Sequence, residues 1–344
     1  MTTRRRLPTM SDVAAAAEVS ATTVSYVLGG HSAQMRIAPE TQERVRRAAA
    51  ELRYRPNRGA RNLRTSKSAT VAVISDFVAS GHFASEMLAG ASEAVHRHGH
   101  VMLIGETEGD PDAEASLVEE LLERRVDSFV YARLIHQRCP IPAQLFDQPL
   151  VLLNCVDADG RHAAVVPDER SGGRLAVRTL LAAGRTDRLY VVGLHDAVND
   201  MAGPQRYEGI TAELDKAGVS LSGMVECEWN VADAYEAVTS WLSSGVRPGG
   251  LICMNDRVGF GVYQALAEHG LRVAHDVDVI SFDGTELASW MRPHLTSVAL
   301  PFADLGATAV ELLLRPNGPG VDVHHLNMAL HVGASIGASR RVER

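Results

Sequence analysis

Beyond Thr70 the chain is a succession of short apolar runs separated by segments of helical spacing. The runs Val71–Ile74, Val101–Ile104, Ser128–Tyr131, Leu150–Leu153, Leu189–Val192, Gly250–Met254 and Val277–Phe282 have the length and β-branched content of buried strands. Between them apolar positions recur every three or four residues, as in Met87-Leu88, Ala91 and Val95, or Leu117-Val118 and Leu121-Leu122. Strands apolar on both faces, alternating with amphipathic helices, predict parallel sheets covered by helices on both sides. Ligands of such sheets bind beyond the carboxyl ends of the strands.

The N-terminal pattern differs. An Ala-rich segment from Met10 to Ala17 has high helix propensity, with Thr9 or Ser11 available as its cap. Glu18-Val19-Ser20 makes a short turn, Ser20 offers a hydroxyl to a second helix over Ala21–Leu28, and Gly29-Gly30 ends it. A third helix spans about Pro39 to Leu52, with Pro39 in its first turn and Val45, Ala48, Ala49 and Leu52 facing inward. Val13, Ala17, Val19, Val24, Val27 and Leu28 can close a small core. That leaves Ala21, Thr22, Ser25 and Tyr26 outward on the second helix, where a helix-turn-helix reads base edges in the major groove.

Charge sharpens this division. Residues 1–68 hold 13 Lys+Arg against 5 Asp+Glu, and the remainder holds 21 against 37, within an overall formal charge of -8. A basic module on an acidic body predicts that one end meets a polyanion while the body stays off it. No run of about 18 apolar residues occurs and the N-terminus lacks an apolar leader core, so the expected location is the cytoplasm, on the nucleoid, with no membrane partner. The four cysteines, Cys139, Cys155, Cys227 and Cys253, lack metal or disulfide spacing and are expected to be buried thiols.

Ser11–Ala14 (Ser-Asp-Val-Ala), Val19–Ser25 (Val-Ser-x-x-Thr-Val-Ser) and Glu51–Asn57 (Glu-Leu-x-Tyr-x-Pro-Asn) follow in order at the N-terminus. On these motifs the chain resembles the lac-repressor (LacI/GalR) family of transcription regulators. The resemblance implies an α/β protein with an all-α helix-turn-helix head and a two-lobed, periplasmic-binding-protein-like body of doubly wound parallel sheets. It places Ala21, Thr22 and Tyr26 at specificity positions. Ser20, Thr23 and Ser25 stand at phosphate contacts, with packing or capping as the alternative for Thr23 and Ser25. Asn57 opens a hinge in which Leu63 would wedge into the central minor groove, with Arg61 and Arg64 drawn to phosphates; a plain flexible linker is the other reading of this stretch. Two departures are a loop over Gly29–Arg36 longer than in better-known members, and Gly29 where the family often has Asn.

In the body the resemblance rests on Asp168 with Gly172-Gly173-Arg174, Arg206-Tyr207-Glu208-Gly209, Asn255-Asp256, Val279–Asp283 and Pro293–Val298. It implies three crossovers between lobes, near Pro167–Glu169, Ser297–Pro301 and Leu326–Leu330. The expected division is a head at 1–56, a hinge at 57–68 and a body at 69–344. Lobe 1 would take about 69–167 and 301–327, lobe 2 about 168–298 and 330–340. By residue type Arg206 can donate paired hydrogen bonds, Asp283 can accept from paired hydroxyls, and Asn154 and Asn255 can do either. Phe83, Trp229 and Phe302 match positions that wall the family's effector pocket, with His82 beside them. Each polar residue alone could equally form an ion pair between lobes; together they favour a small polar effector, a sugar or sugar derivative.

His96-Arg97-His98-Gly99-His100 lies at a predicted helix end without an evident carboxylate partner, so no metal is expected. No Gly-x-Gly-x-x-Gly or phosphate-binding loop, no Gly-x-Ser-x-Gly and no His-Glu-x-x-His occurs, so neither a cofactor nor an enzymatic activity is expected. The chain stops soon after the last expected strand, without a heptad tail, which predicts a homodimer reading a roughly palindromic operator DNA. A periplasmic-type solute-binding protein and a sugar-modifying enzyme on a related fold are the competing readings, and the N-terminal head argues against both.

Overall fold

The computed structural model describes residues 8–30, 32–54, 68–79, 85–194 and 199–337, in two compact units, residues 1–68 and 69–344. In the first unit α1 (Met10–Ala16) begins with a reciprocal cap: the Asp12 amide donates to Thr9 Oγ1, and the Thr9 amide donates to the Asp12 carboxylate. Ser20 caps α2 (Ala21–Leu28) by accepting from the Thr23 amide at 3.1 Å, and Pro39 opens α3 (Pro39–Glu51). Val13, Ala17, Val24, Val27, Val45, Ala48 and Ala49 close the core. Leu52 departs from expectation: α3 stops at Glu51, Arg53 turns to positive φ, and Leu52 is left 37% exposed while Tyr54 packs on the core.

The second unit runs β1 (Thr70–Ser75), α4 (Ser85–Arg97), β2 (Val101–Glu106), α5 (Pro111–Glu123), β3 (Ser128–Cys139), β4 (Leu150–Asp157) and β5 (Ala163–Pro167). It continues with α6 (Glu169–Ala182), β6 (Leu189–Val192), α7 (Ala202–Ala217), β7 (Gly223–Val225), α8 (Val231–Ser243), β8 (Gly250–Cys253), α9 (Asp256–Glu268) and β9 (Asp278–Asp283). The last elements are α10 (Glu286–Trp290), β10 (Thr296–Ala299), α11 (Phe302–Leu313), β11 (Val323–Leu326) and β12 (Ala329–His331). Two six-stranded sheets result, in the orders β11-β5-β4-β3-β1-β2 and β12-β10-β9-β8-β6-β7. All pairings are parallel except that of β12 with β10. The chain passes between the sheets after β5, after β10 and after β11, so each lobe is built from separated stretches.

Helix crossings fix the frame of each lobe. A Cβ on Gly306 of α11 would come within 1.9 Å of the Met87 carbonyl oxygen in α4, and one on Gly90 within 2.0 Å of the Ala303 carbonyl oxygen. In the second lobe a Cβ on Gly173 of α6 would meet the Arg206 carbonyl oxygen at 2.1 Å, and one on Gly209 of α7 the Arg170 carbonyl oxygen at 2.1 Å. Only backbone hydrogen fits at these four crossings, so the glycines set how closely the helices approach. Cys139, Cys155 and Cys253 are buried as expected, but Cys227, at the rim of the second lobe's core, is only half-buried. The histidine-rich helix end is also corrected: Arg97 and His98 both reach Glu311 of α11, at 3.0 and 2.9 Å, so the carboxylate partner comes from a distant part of the chain.

Candidate functional site

On α2, Ala21 and Thr22 are exposed, while Thr23, Ser25 and Tyr26 are half-buried. The Ser20 and Thr23 hydroxyls lie 2.9 Å apart, so in the absence of a partner these two groups satisfy one another at the helix start. Asn57, Arg61, Leu63, Arg64, His82 and Phe83 lie outside the described residues.

In the second unit the polar residues gather where the carboxyl ends of the two sheets meet. β3 is much longer than its apolar run, because after a register shift beyond Ala132 it continues alongside Cys155–Asp157 of β4. This extension meets the other lobe: the Met201 amide donates to the His136 carbonyl at 3.0 Å, the Arg138 amide donates to the Asn199 carbonyl at 2.9 Å, and Gln137 bridges Asp200. The His136 ring is buried, with Nδ1 3.8 Å from Glu169 Oε1 and no hydrogen-bond partner for either nitrogen.

Arg206 on α7 is 1% exposed. Its Nε donates to Glu169 Oε2 at 2.6 Å, Nη2 to Oε1 at 3.3 Å, and Nη1 to the Met254 carbonyl; Nη2 also stands 3.5 Å from Asp283 Oδ1. The close α6–α7 crossing permitted by Gly173 and Gly209 brings the pair together, and Glu169 sits in the first helical turn, where the helix dipole favours an anion. Burial pushes the Glu169 carboxyl up, but the Arg206 charge and its hydrogen bonds outweigh burial and hold it below the ordinary value. The guanidinium also faces the rings of Trp229 and Phe282, at 5.1 and 4.8 Å. The Trp229 indole N–H donates to the Gly193 carbonyl at 2.7 Å, which fixes the ring.

Asp283 ends β9 at φ 95 and is pushed up to about 7, chiefly by burial, with Arg206 opposing that rise. Asn154 lies inside β4, at the register shift against β3, with φ 57. Left-handed backbone at two non-glycine residues, one at the end of β9 and one at the irregularity between β3 and β4, is strain of the kind retained at functional positions.

Local bonding narrows what the two asparagines can do. Asn154 Nδ2 donates to the Arg133 and Leu134 carbonyls, leaving Oδ1 a buried acceptor without a partner. Asn255 Oδ1 caps α9 by accepting from the Val258 amide at 2.8 Å, and its amide nitrogen stands 3.4 Å from the Trp229 carbonyl. Asp256 is saturated by Ser281, Ser297 and both donors of Thr285, a scaffold tying α9 to β9 and β10. Phe302 is 9% exposed and lies in the first lobe's core, so any wall it offers is a small part of its surface.

Sequence reasoning missed Glu169 and His136. An acid after a helix cap reads as a first-turn charge, and His136 follows a run that ended, by pattern, at Tyr131. Among the described residues no group of three His, Cys, Asp or Glu is placed to hold a metal, and no helix is long and apolar enough to cross a membrane.

Comparison with known proteins matches residues 9–57 to the bacterial regulatory proteins of the lacI family, and residues 177–336 to a periplasmic binding protein-like domain. The chain is 30% identical over 315 residues to the HTH-type transcriptional repressor PurR of Aliivibrio fischeri, covering 90% of this chain and 91% of that one. It is 29% identical over 319 residues to the ribose operon repressor of Escherichia coli, covering 90% and 93%. Among solved structures it is similar to the lac repressor dimer bound to operator and the anti-inducer ONPF, with a TM-score of 0.80 and 26% identity, covering 97% of this chain and all of that one.

Proposed function

Since the chain belongs to the lacI family of bacterial regulatory proteins and is a DNA-binding repressor gated by a small effector, we propose which of its residues carry each task. Ala21, Thr22 and Tyr26 read base edges in the major groove, while Ser20, Thr23 and Ser25 turn from their local bonds to phosphates. Residues 57–68 form the hinge, with Leu63 as the minor-groove wedge and Asn57, Arg61 and Arg64 beside it. The effector, a sugar or sugar derivative, sits between the lobes among Asn154, Arg206, Trp229, Asn255 and Asp283, with His82, Phe83 and Phe302 toward its apolar side. The head comprises 1–56; lobe 1 comprises 69–167 with 301–327, and lobe 2 comprises 168–298 with 330–340. The site works as a binding and switching centre with no catalytic step, and the protein acts in the cytoplasm, where its operator is.

The observation that carries this reading is the convergence of Arg206, Asp283, Trp229 and His136 from both lobes onto one buried polar cluster beside strained backbone. A ligand there touches both lobes at once, so it favours one lobe arrangement by the difference in its affinity for the two. The linked change in operator affinity is reciprocal. The homodimer doubles the head into a palindrome reader. The exposed edge strand β2, with Val101 and Ile104 46% and 47% exposed, is the kind of apolar edge that a second copy covers.

The test starts with the full-length protein and randomised duplexes, selecting bound sequences; a twofold-symmetric consensus is expected. A thermal-shift screen of sugars then finds the effector, since ligand at 100 times its Kd stabilises by about 2.7 kcal/mol. The hit must alter consensus binding, and Arg206→Met must remove that response. Selection without symmetry, or an effector response that survives Arg206→Met, refutes the reading.

A further inference from the structure

In this chain Arg206 is already occupied. Both Nε and Nη2 bond Glu169, Nη1 bonds the Met254 carbonyl, and Nη2 stands 3.5 Å from Asp283. Glu169 is 0% exposed. Three of the five guanidinium N–H groups are taken and a fourth faces Asp283, and the charge is already matched by Glu169, so an anionic ligand meets no uncompensated cation here and could form the paired bonds to Nε and Nη2 only by stranding a buried carboxylate.

The surroundings do not favour an anion either. Asp76, Glu169 and Asp200 lie at or beside the facing strand ends, with Asp256 and Asp283, both raised by burial, next to them, against Arg206 and the Arg257 charge felt by Asp283. Arg133 is matched by Glu114 at 2.9 Å.

Buried atoms without a hydrogen-bond partner on β1, β3 and β4 of the first lobe complete the picture: both His136 nitrogens, Asn154 Oδ1, Arg133 Nη1 and Ser75 Oγ. This set mixes donors and acceptors. A hydroxyl group, which donates and accepts at one atom, suits such a set; an anion, which only accepts, does not.

We propose that Glu169 sets the charge class of the effector: by holding Arg206 it makes the site take neutral polyhydroxylated molecules and reject their phosphorylated and carboxylated counterparts. The proposal rests on the effector site lying between the lobes. Glu169 acts here through Arg206, as a specificity-determining positioning residue.

The test uses the full-length protein and matched probes: D-ribose with D-ribose 5-phosphate, D-glucose with D-gluconate, and inorganic phosphate alone. Binding is read by calorimetry and thermal shift at constant ionic strength, in the wild type, in Glu169→Gln and in Arg206→Met/Glu169→Gln. The wild type should ignore the three anions at millimolar concentration. Glu169→Gln, which keeps the shape and removes the charge, should bind phosphate or gluconate at least about tenfold more tightly, given the size of one charge at this range. The double variant should lose that gain.

Anion binding by the wild type that Arg206→Met/Glu169→Gln abolishes would overturn the proposal, as would a folded Glu169→Gln that gains no anion affinity. If Glu169→Gln does not fold, Glu169→Met, which also removes the charge, takes its place in the single and the double variant under the same criteria. A sugar response that persists undiminished in the double variant would place the ligand elsewhere, and would overturn the site assignment together with the charge rule.

Discussion

Replacing Arg206 with methionine isolates the buried pair at the centre of the proposed effector site. Methionine keeps an unbranched stem of similar reach and removes the charge. The guanidinium lost is 1% exposed and makes two hydrogen bonds to Glu169 and one to a backbone carbonyl. Glu169 cannot turn to water, and the nearest other donor is His136, 3.8 Å away. Removing one partner of such a pair costs about 3–5 kcal/mol, mostly as the penalty of the stranded charge. For a body of this size each kcal/mol moves Tm by about 2–4 °C, so a fall of roughly 6–20 °C is expected at neutral pH.

The pH dependence gives the sharper signature. In the wild type Glu169 is held below its ordinary value, so it contributes stability that is present above the unfolded carboxyl value of about 4.3 and is lost as pH falls through its folded value. Without Arg206 only His136 still opposes burial, the largest influence on Glu169, so the carboxyl rises above its unfolded value. Its contribution is then present in acid and lost as pH increases. The gap in Tm between wild type and Arg206→Met should therefore widen from pH 5 to pH 8. Melting curves of the full-length protein by circular dichroism at several pH values measure it. Arg206→Met/Glu169→Gln should recover most of the loss and flatten its pH dependence. A variant as stable as wild type at pH 8, a gap that widens toward acid, or a double variant as unstable as the two single losses summed would refute the reasoning.

Three further outcomes follow from the same geometry. Asp283, raised to about 7, contributes stability below its unfolded value of about 3.9 that is lost as pH rises through 7, so Asp283→Asn should remove a decline in Tm across that window. Ser20→Ala removes the cap of α2 and the Thr23 contact; it should cost the head about 1 kcal/mol and speed hydrogen exchange of the Thr23 amide, alongside weaker operator binding in gel shift. Gly306→Ala forces a methyl to within 1.9 Å of the Met87 carbonyl, so α4 and α11 must separate, at about 1–3 kcal/mol or more, read as a lower Tm with operator preference unchanged.

The sequence by itself determined the local structure of the head and the class of the body. Thr9 with Asp12, Ser20 before Ala21, Pro39 and Gly29-Gly30 are chemical start and stop signals that act within a few residues, and the structure uses each of them. Leu52 was misplaced because a helix end shifted by one residue changes the face on which its last side chain lies. In the body seven strands were legible, among them β2, which reads as buried but is an exposed edge, while β5, β7, β10, β11 and β12 were not. β5, β10 and β11 are the strands at which the chain passes between the sheets, and β12 is the antiparallel one, so their partners are set by the tertiary arrangement. Arg206 and Asp283 could be picked out by type, but their relationship could not. Whether a guanidinium awaits a ligand or is held by Glu169 depends on two helices crossing at glycines, and whether His136 lies at the site depends on how far β3 runs into the other lobe. Caps and periodicity are short-range properties written in adjacent residues. The charge state of a buried site is long-range: it is decided only when packing removes water and sets which opposite charge remains within reach.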